Sequence, residues 1–193
     1  MANDIKPRMR KLYDWEIEQA RLVFVDTLNY SKIRVCEGYS WPDFANRLGR
    51  FVRRQSPPGP GEHNSITLGY HCYFPVQLSE QPPSADHPDY SDMEWLIHEM
   101  THSWQYQHTG AGYLFRALWA QFRLKDKAYD FGDIPGLITA RKKGLNIFTY
   151  NPEAQASIVE TCYAYQFQKR DVSAFLPFLD DLHTAARPRE GTI

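Results

Sequence analysis

Residues 91–108 constrain this chain more than any other stretch. They lie between a proline-rich run, residues 75–89, and the glycines Gly110 and Gly112, so they read as one helix with a breaker at each end. Ser91-Asp92-Met93-Glu94 has the form of a capping box, with Ser91 as cap. Seven residues into the segment stands His98-Glu99-Met100-Thr101-His102. Residues four apart on a helix face the same way, one turn apart. His98 and His102 can therefore hold one metal ion through two imidazoles. Glu99 is one position round the helix, within reach of a water on that ion and not by default a ligand. This pattern predicts zinc, with Glu99 as the base beside it. Leu96, Met100 and Ser103 form one inward stripe. Trp95, His98, His102 and Gln105 form another, facing a cleft or supporting the ligands. Apolar residues on both sides of the metal face predict a core helix.

A catalytic zinc takes three protein ligands and leaves one position open. Asn151-Pro152-Glu153 reads as a second helix start, with Asn151 as cap and proline at the first helical position. Ala156, Val159, Tyr163 and Phe167 continue it at helical spacing. Glu153 and Glu160 are the candidates for a third ligand on that helix. They are seven apart on nearly one face, and helical geometry leaves both open. Gln105 and Gln155 are candidates to accept the second ring N–H of a ligating histidine. Tyr150, Tyr163 and Tyr165 lie near the right elements to stabilise an oxyanion, against a default of core packing for each.

The rest of the chain frames this helix pair. A length of 193 residues predicts a single domain over 1–193, with 187–193 as a tail. The apolar content of 42% is enough for a real core. The 22 basic and 23 acidic residues nearly cancel, so no net field points to nucleic acid or an anionic membrane. Cys36, Cys72 and Cys162 are widely spaced and form no Cys-x-x-Cys pair; they read as reduced thiols, Cys162 as a core residue. The first eleven residues have no apolar stretch of the kind a secretory signal needs, and no run approaches the ~20 apolar residues of a membrane span. The expectation is a chain made in the cytoplasm and exported, if at all, by a route that reads no signal peptide.

Residues 13–27 predict an amphipathic helix with Ile17, Ala20 and Phe24 inward, and 32–36 a strand. Residues 56–61 (Ser-Pro-Pro-Gly-Pro-Gly) read as a surface loop. Residues 64–74 predict a strand or a hairpin turning at Gly69, with His63 and His71 as ordinary hydrogen-bonding histidines. A helix is expected over 113–124, loops or short elements over 126–151, and a last short helix over 172–183, interrupted or restarted at Pro177.

The segments His98-Glu-Met-Thr-His-Ser-Trp-Gln-Tyr-Gln107 and Asn151-Pro-Glu-Ala-Gln-Ala-Ser-Ile-Val159 carry a resemblance, with Tyr30-Ser-Lys-Ile-Arg-Val35 and Cys72-Tyr-Phe-Pro75 beside them. The chain resembles a family of bacterial Vgr-related proteins linked to type VI secretion. More distantly it is similar to the metallopeptidase domain found with extracellular contractile injection systems. The likeness touches positions from about 13 to 167. It implies an α+β, zincin-like fold: a small twisted sheet, the active-site helix beneath it, and C-terminal helices that deliver Glu153. It implies Zn2+ on His98, His102 and Glu153, with Glu99 catalytic and a peptide or protein as substrate. It further implies a setting in contractile secretion, with spike components or an immunity protein as partners. The chain departs at Ser157, where such relatives often carry an acid, so that position has no carboxylate to orient an imidazole. Two other readings use the same residues: a secretion-associated binding module whose zinc serves stability, and an amidase acting on cell-wall peptide.

Overall fold

A computed structural model describes residues 6–39, 65–83, 90–110 and 129–185. The expected loop at 56–61, the expected helix at 113–124, His63 and the tail at 187–193 lie outside the described residues.

The described residues form an α+β arrangement of five α-helices and one four-stranded mixed sheet. The strands are β1 (Arg8–Arg10), β2 (Arg34–Glu37), β3 (Ile66–Leu68) and β4 (His71–Phe74), in spatial order β1-β2-β4-β3. β1 runs antiparallel to β2, β2 parallel to β4, and β3 antiparallel to β4. β3 and β4 are the hairpin expected at Gly69. Leu68 pairs with His71, leaving a two-residue loop, and Gly69 takes φ +64° there. Positive φ at the first loop position is the feature that suits glycine to a hairpin whose turn must follow strand twist. Side chains alternate across a strand. The register therefore puts Thr67, Val35, Cys72, Glu37 and Phe74 on one face, and all five are buried.

The helices are α1 (Asp14–Phe24), α2 (Ser91–Thr109), α3 (Asp133–Lys142), α4 (Pro152–Phe167) and α5 (Leu176–Ala185). Short 3₁₀ turns occupy Tyr30–Lys32 and Ile147–Thr149. α2 packs across β3 and β4 on one side and along α4 on the other. Every residue from Leu96 to Gln105 is buried, so α2 is the core helix that its sequence predicts. Trp104, Met100, Leu96 and Ile97 join Phe24, Phe74, Ile158, Val159 and Tyr163 in the core. Burying each large apolar side chain contributes roughly 1.5–3 kcal/mol, and this fixes the register of α2 against its neighbours.

Three local expectations need correction. Ser91 is the first residue inside α2, and Tyr90 holds the cap position. The helix start is thus right to one residue, the usual latitude of a helix end. Residues 133–142 are a regular ten-residue helix where loops or short elements were expected. Gly132 holds the cap position at φ +81°, so it does mark the boundary, whereas Gly136 lies inside the helix, where a Cβ would meet the Phe131 carbonyl at 2.7 Å. Gly136 thus serves a close approach rather than a break. Finally, β1 was not anticipated in the basic N-terminus. It is held by charge: Glu37, buried, takes Arg8 at 2.7 Å and Arg10 at 3.0 Å. Buried Glu16 takes both terminal nitrogens of Arg10 at 2.8 Å. No helix among the described residues is long and apolar enough to cross a membrane.

Candidate metal centre

α2 and α4 lie side by side, and their buried polar residues include His98, His102, Gln105 and Glu153. α4 starts as its sequence predicts. The Asn151 side-chain oxygen accepts from the backbone N–H of Glu153 (3.0 Å) and of Ala154 (3.2 Å). Glu153 is therefore fixed in the first turn, two residues past the cap, and is only 2% exposed.

Which nitrogen each histidine turns inward follows from its neighbours. Glu160 Oε2 lies 2.9 Å from His98 Nδ1. A carboxylate oxygen accepts, so Nδ1 carries the hydrogen. Gln105 Nε2 donates to the Pro152 carbonyl and to Gln155 Oε1, each at 3.0 Å. Its Oε1 is thereby turned to His102 Nδ1, 2.8 Å away, and accepts that N–H. Gln155 is anchored in turn on the Tyr150 carbonyl at 2.8 Å. Both imidazoles thus present Nε2, and both Nε2 atoms stand 3.3 Å from the same oxygen, Oε2 of Glu153.

Two imidazole lone pairs and a carboxylate oxygen converge on one point, which requires a positive charge there. A ring proton or a metal ion can supply it. Burial disfavours a charged His98, but hydrogen bonds and charge from Glu153 and Glu160 outweigh it and push its pKa well above the ordinary value. Burial opposes charge at His102 as well, yet Glu153 and, more weakly, Glu99 push its pKa up. Burial would lift the Glu153 pKa, but His102 and His98 hold it far below the carboxylate range.

A metal ion fits the same donors. The three ligand atoms lie within 4.8 Å of one another. Ligands at ~2.0–2.1 Å from a tetrahedral zinc are separated by roughly 3.3–3.4 Å, and the two N···O separations are 3.3 Å. That is longer than the ~2.7–2.9 Å of a good charged N–H···O bond. Two neutral nitrogens and one carboxylate oxygen suit zinc.

Glu99 is 3% exposed and stands on the side of α2 that faces β3. Ser65 Oγ donates to its Oε1 and Thr67 Oγ1 to its Oε2, both at 2.6 Å. The Trp95 indole N–H donates to Ser65 Oγ.

The structure brings His98, His102 and Glu153 together and gives Glu160 a different position, behind His98 rather than with the ligand atoms. Glu160 supplies the orienting carboxylate that Ser157 cannot. Of the three tyrosines expected near the site, Tyr163 is fully buried and its hydroxyl meets Gln19. Tyr165 packs on Phe175 with Arg170 over its face, and the Tyr150 ring rests on Phe178. Tyr129, which the sequence did not single out, has its ring centre 6.0 Å from that of His98. Ser65 and Thr67 also went unnoticed; no spacing rule links a strand hydroxyl to a helix 32 or 34 residues away. His71 lies on β4 and stacks near Tyr73. Cys162 is a buried free thiol with its pKa pushed up to about 12 by burial, as a core residue should be.

No family model, curated protein or solved structure matches this chain.

Proposed function

We propose that the chain is a zinc-dependent hydrolase of peptide or other amide bonds, with a zincin-like fold. The observation that carries the proposal is the convergence of His98 Nε2, His102 Nε2 and Glu153 Oε2, with Glu99 on the next position of the same helix. His98, His102 and Glu153 would hold the ion. Zinc, when bound, polarises a scissile carbonyl and lowers the pKa of water towards ~7. Glu99 would accept the proton of the attacking water and deliver it to the leaving amine nitrogen. Among the described residues each Glu99 oxygen accepts one hydroxyl, and a carboxylate oxygen has a second lone pair that could take that proton. Glu160 and Gln105 would hold the imidazoles in the ligating tautomer. The resemblance to Vgr-related proteins supports a setting in contractile secretion, as an exported factor acting on a peptide or protein.

A second reading, a zinc site kept for stability alone, draws on the burial of Glu99 and on both its oxygens being engaged. Turnover separates the two. Zinc-loaded wild type is assayed on a library of quenched-fluorescence peptides and on purified peptidoglycan, beside Glu99→Gln. The expected result is peptide cleavage by the wild type, with one zinc retained and activity lost by at least ~100-fold in Glu99→Gln. Zinc binding without turnover on either substrate supports the structural reading, and cleavage of peptidoglycan alone supports the amidase.

A further inference from the structure

We propose that Ser65 and Thr67 are positioning residues for Glu99, so that the sheet edge, as well as helix α2, decides where the base points. The proposal rests on the reading of Glu99 as base. Ser65 immediately precedes β3 and Thr67 is its middle residue. At spacing i, i+2 they share one face of an extended chain, and that face meets α2. Their two hydroxyls take one carboxylate oxygen each, at 2.6 Å. This is the separation of O–H···O⁻ bonds strengthened by charge.

The Ser65 hydroxyl is itself directed. Ser65 has one hydrogen, and its oxygen already accepts from the Trp95 indole, so that hydrogen is left for Glu99. Trp95 is one turn before Glu99 on α2. The helix thus supplies both the base and the donor that orients the hydroxyl holding it. Thr67, 2% exposed, is locked in the ladder opposite Cys72; its hydroxyl lies 2.6 Å from Glu99 Oε2 and 3.1 Å from the Glu99 backbone carbonyl, and the shorter contact is to the carboxylate. A free glutamate side chain samples many rotamers, and ordering it costs side-chain entropy. Here that ordering is complete before any substrate arrives. The clamp leaves the three ligand atoms untouched, so its loss should act on turnover and not on metal retention.

The experiment compares zinc-loaded wild type with Ser65→Ala, Thr67→Val, Thr67→Ser and Glu99→Gln. The probe is the quenched-fluorescence peptide that wild type cleaves fastest. Zinc content, kcat and KM are measured separately. The Trp95 indole proton resonance is followed in metal-free 15N-labelled protein and assigned with Trp95→Phe. Ser65→Ala and Thr67→Val are expected to retain one zinc and a wild-type KM. Their kcat should fall ~10- to 100-fold, the scale of a misplaced reacting group. Thr67→Ser should recover most of kcat, because it restores the hydroxyl without the methyl group. Ser65→Ala should shift the indole resonance. Wild-type kcat in folded Ser65→Ala and Thr67→Val, beside an inactive Glu99→Gln, overturns the clamp alone. An unmoved indole resonance in Ser65→Ala overturns it too. Full turnover by Glu99→Gln overturns the reading of Glu99 as base, and the clamp's role with it.

Discussion

Glu160 and Gln105 decide which nitrogen His98 and His102 turn to the centre, and that choice is testable one residue at a time. Glu160→Gln keeps a hydrogen-bond acceptor behind His98 but removes its charge. Partners of this kind are worth ~10- to 100-fold in metal affinity. Glu160→Gln should weaken zinc binding within that range in a chelator competition, and Glu153→Gln by much more. The charges of the centre also set a pH dependence. His98 and His102 have raised pKa values, so the stability they add to the metal-free chain is complete below the ordinary 6.5 and is lost as pH rises through their folded values. Glu153 has a depressed value, so its share is complete above the ordinary 4.5 and is lost as pH falls through its folded value. Metal-free protein should therefore melt at a lower temperature at pH 9 than at pH 6. Zinc must displace the ring protons. Its apparent affinity should rise with pH, with proton release visible by calorimetry in buffers of different ionisation enthalpy. At this scale the two histidines were legible from their spacing alone. Spacing did not separate Glu153 from Glu160, seven apart on nearly one face, and only the resemblance chose Glu153; in the structure one meets Nε2 of His98 and the other Nδ1.

Among the elements, the cap of α4 has the most to do with the centre. Asn151 satisfies the N–H of Glu153 itself, so the cap and the candidate ligand are one local unit. Asn151→Ala should cost about 1 kcal/mol, as cap removal commonly does. For a domain of this size that lowers the melting temperature by roughly 2–4 °C, and zinc affinity should fall with it. Asn-Pro-Glu announced this helix because cap and proline chemistry are local. α2 was legible for the same reason, through its periodicity and its terminal glycines. β1 was not, because what holds Arg8 and Arg10 in a strand is a pair of buried glutamates, Glu16 and Glu37, brought from α1 and β2. Gly136 hid α3, since in a sequence a glycine chosen for close packing looks the same as one that bounds a helix, as Gly132 does. Ser65 and Thr67 became part of the site only when the hairpin docked on α2.

For the molecule as a whole, the centre joins two halves. α2 is seated on the sheet through β3 and β4, and α4 meets it along the opposite side. His98 and His102 come from the first half and Glu153 from the second. An ion held by all three would cross-link them, and binding to the folded state alone stabilises it by about 2.7 kcal/mol at a free concentration 100 times Kd. The measurement that tests this centre most directly is X-ray absorption at the zinc edge, on wild type reconstituted with one equivalent of zinc. The expected spectrum has only nitrogen and oxygen neighbours at ~2.0–2.1 Å, with the outer-shell signature of two imidazoles, and Glu153→Ala should fail to hold the ion. A sulfur shell at ~2.3 Å, or zinc bound as well by Glu153→Ala as by wild type, would contradict the site.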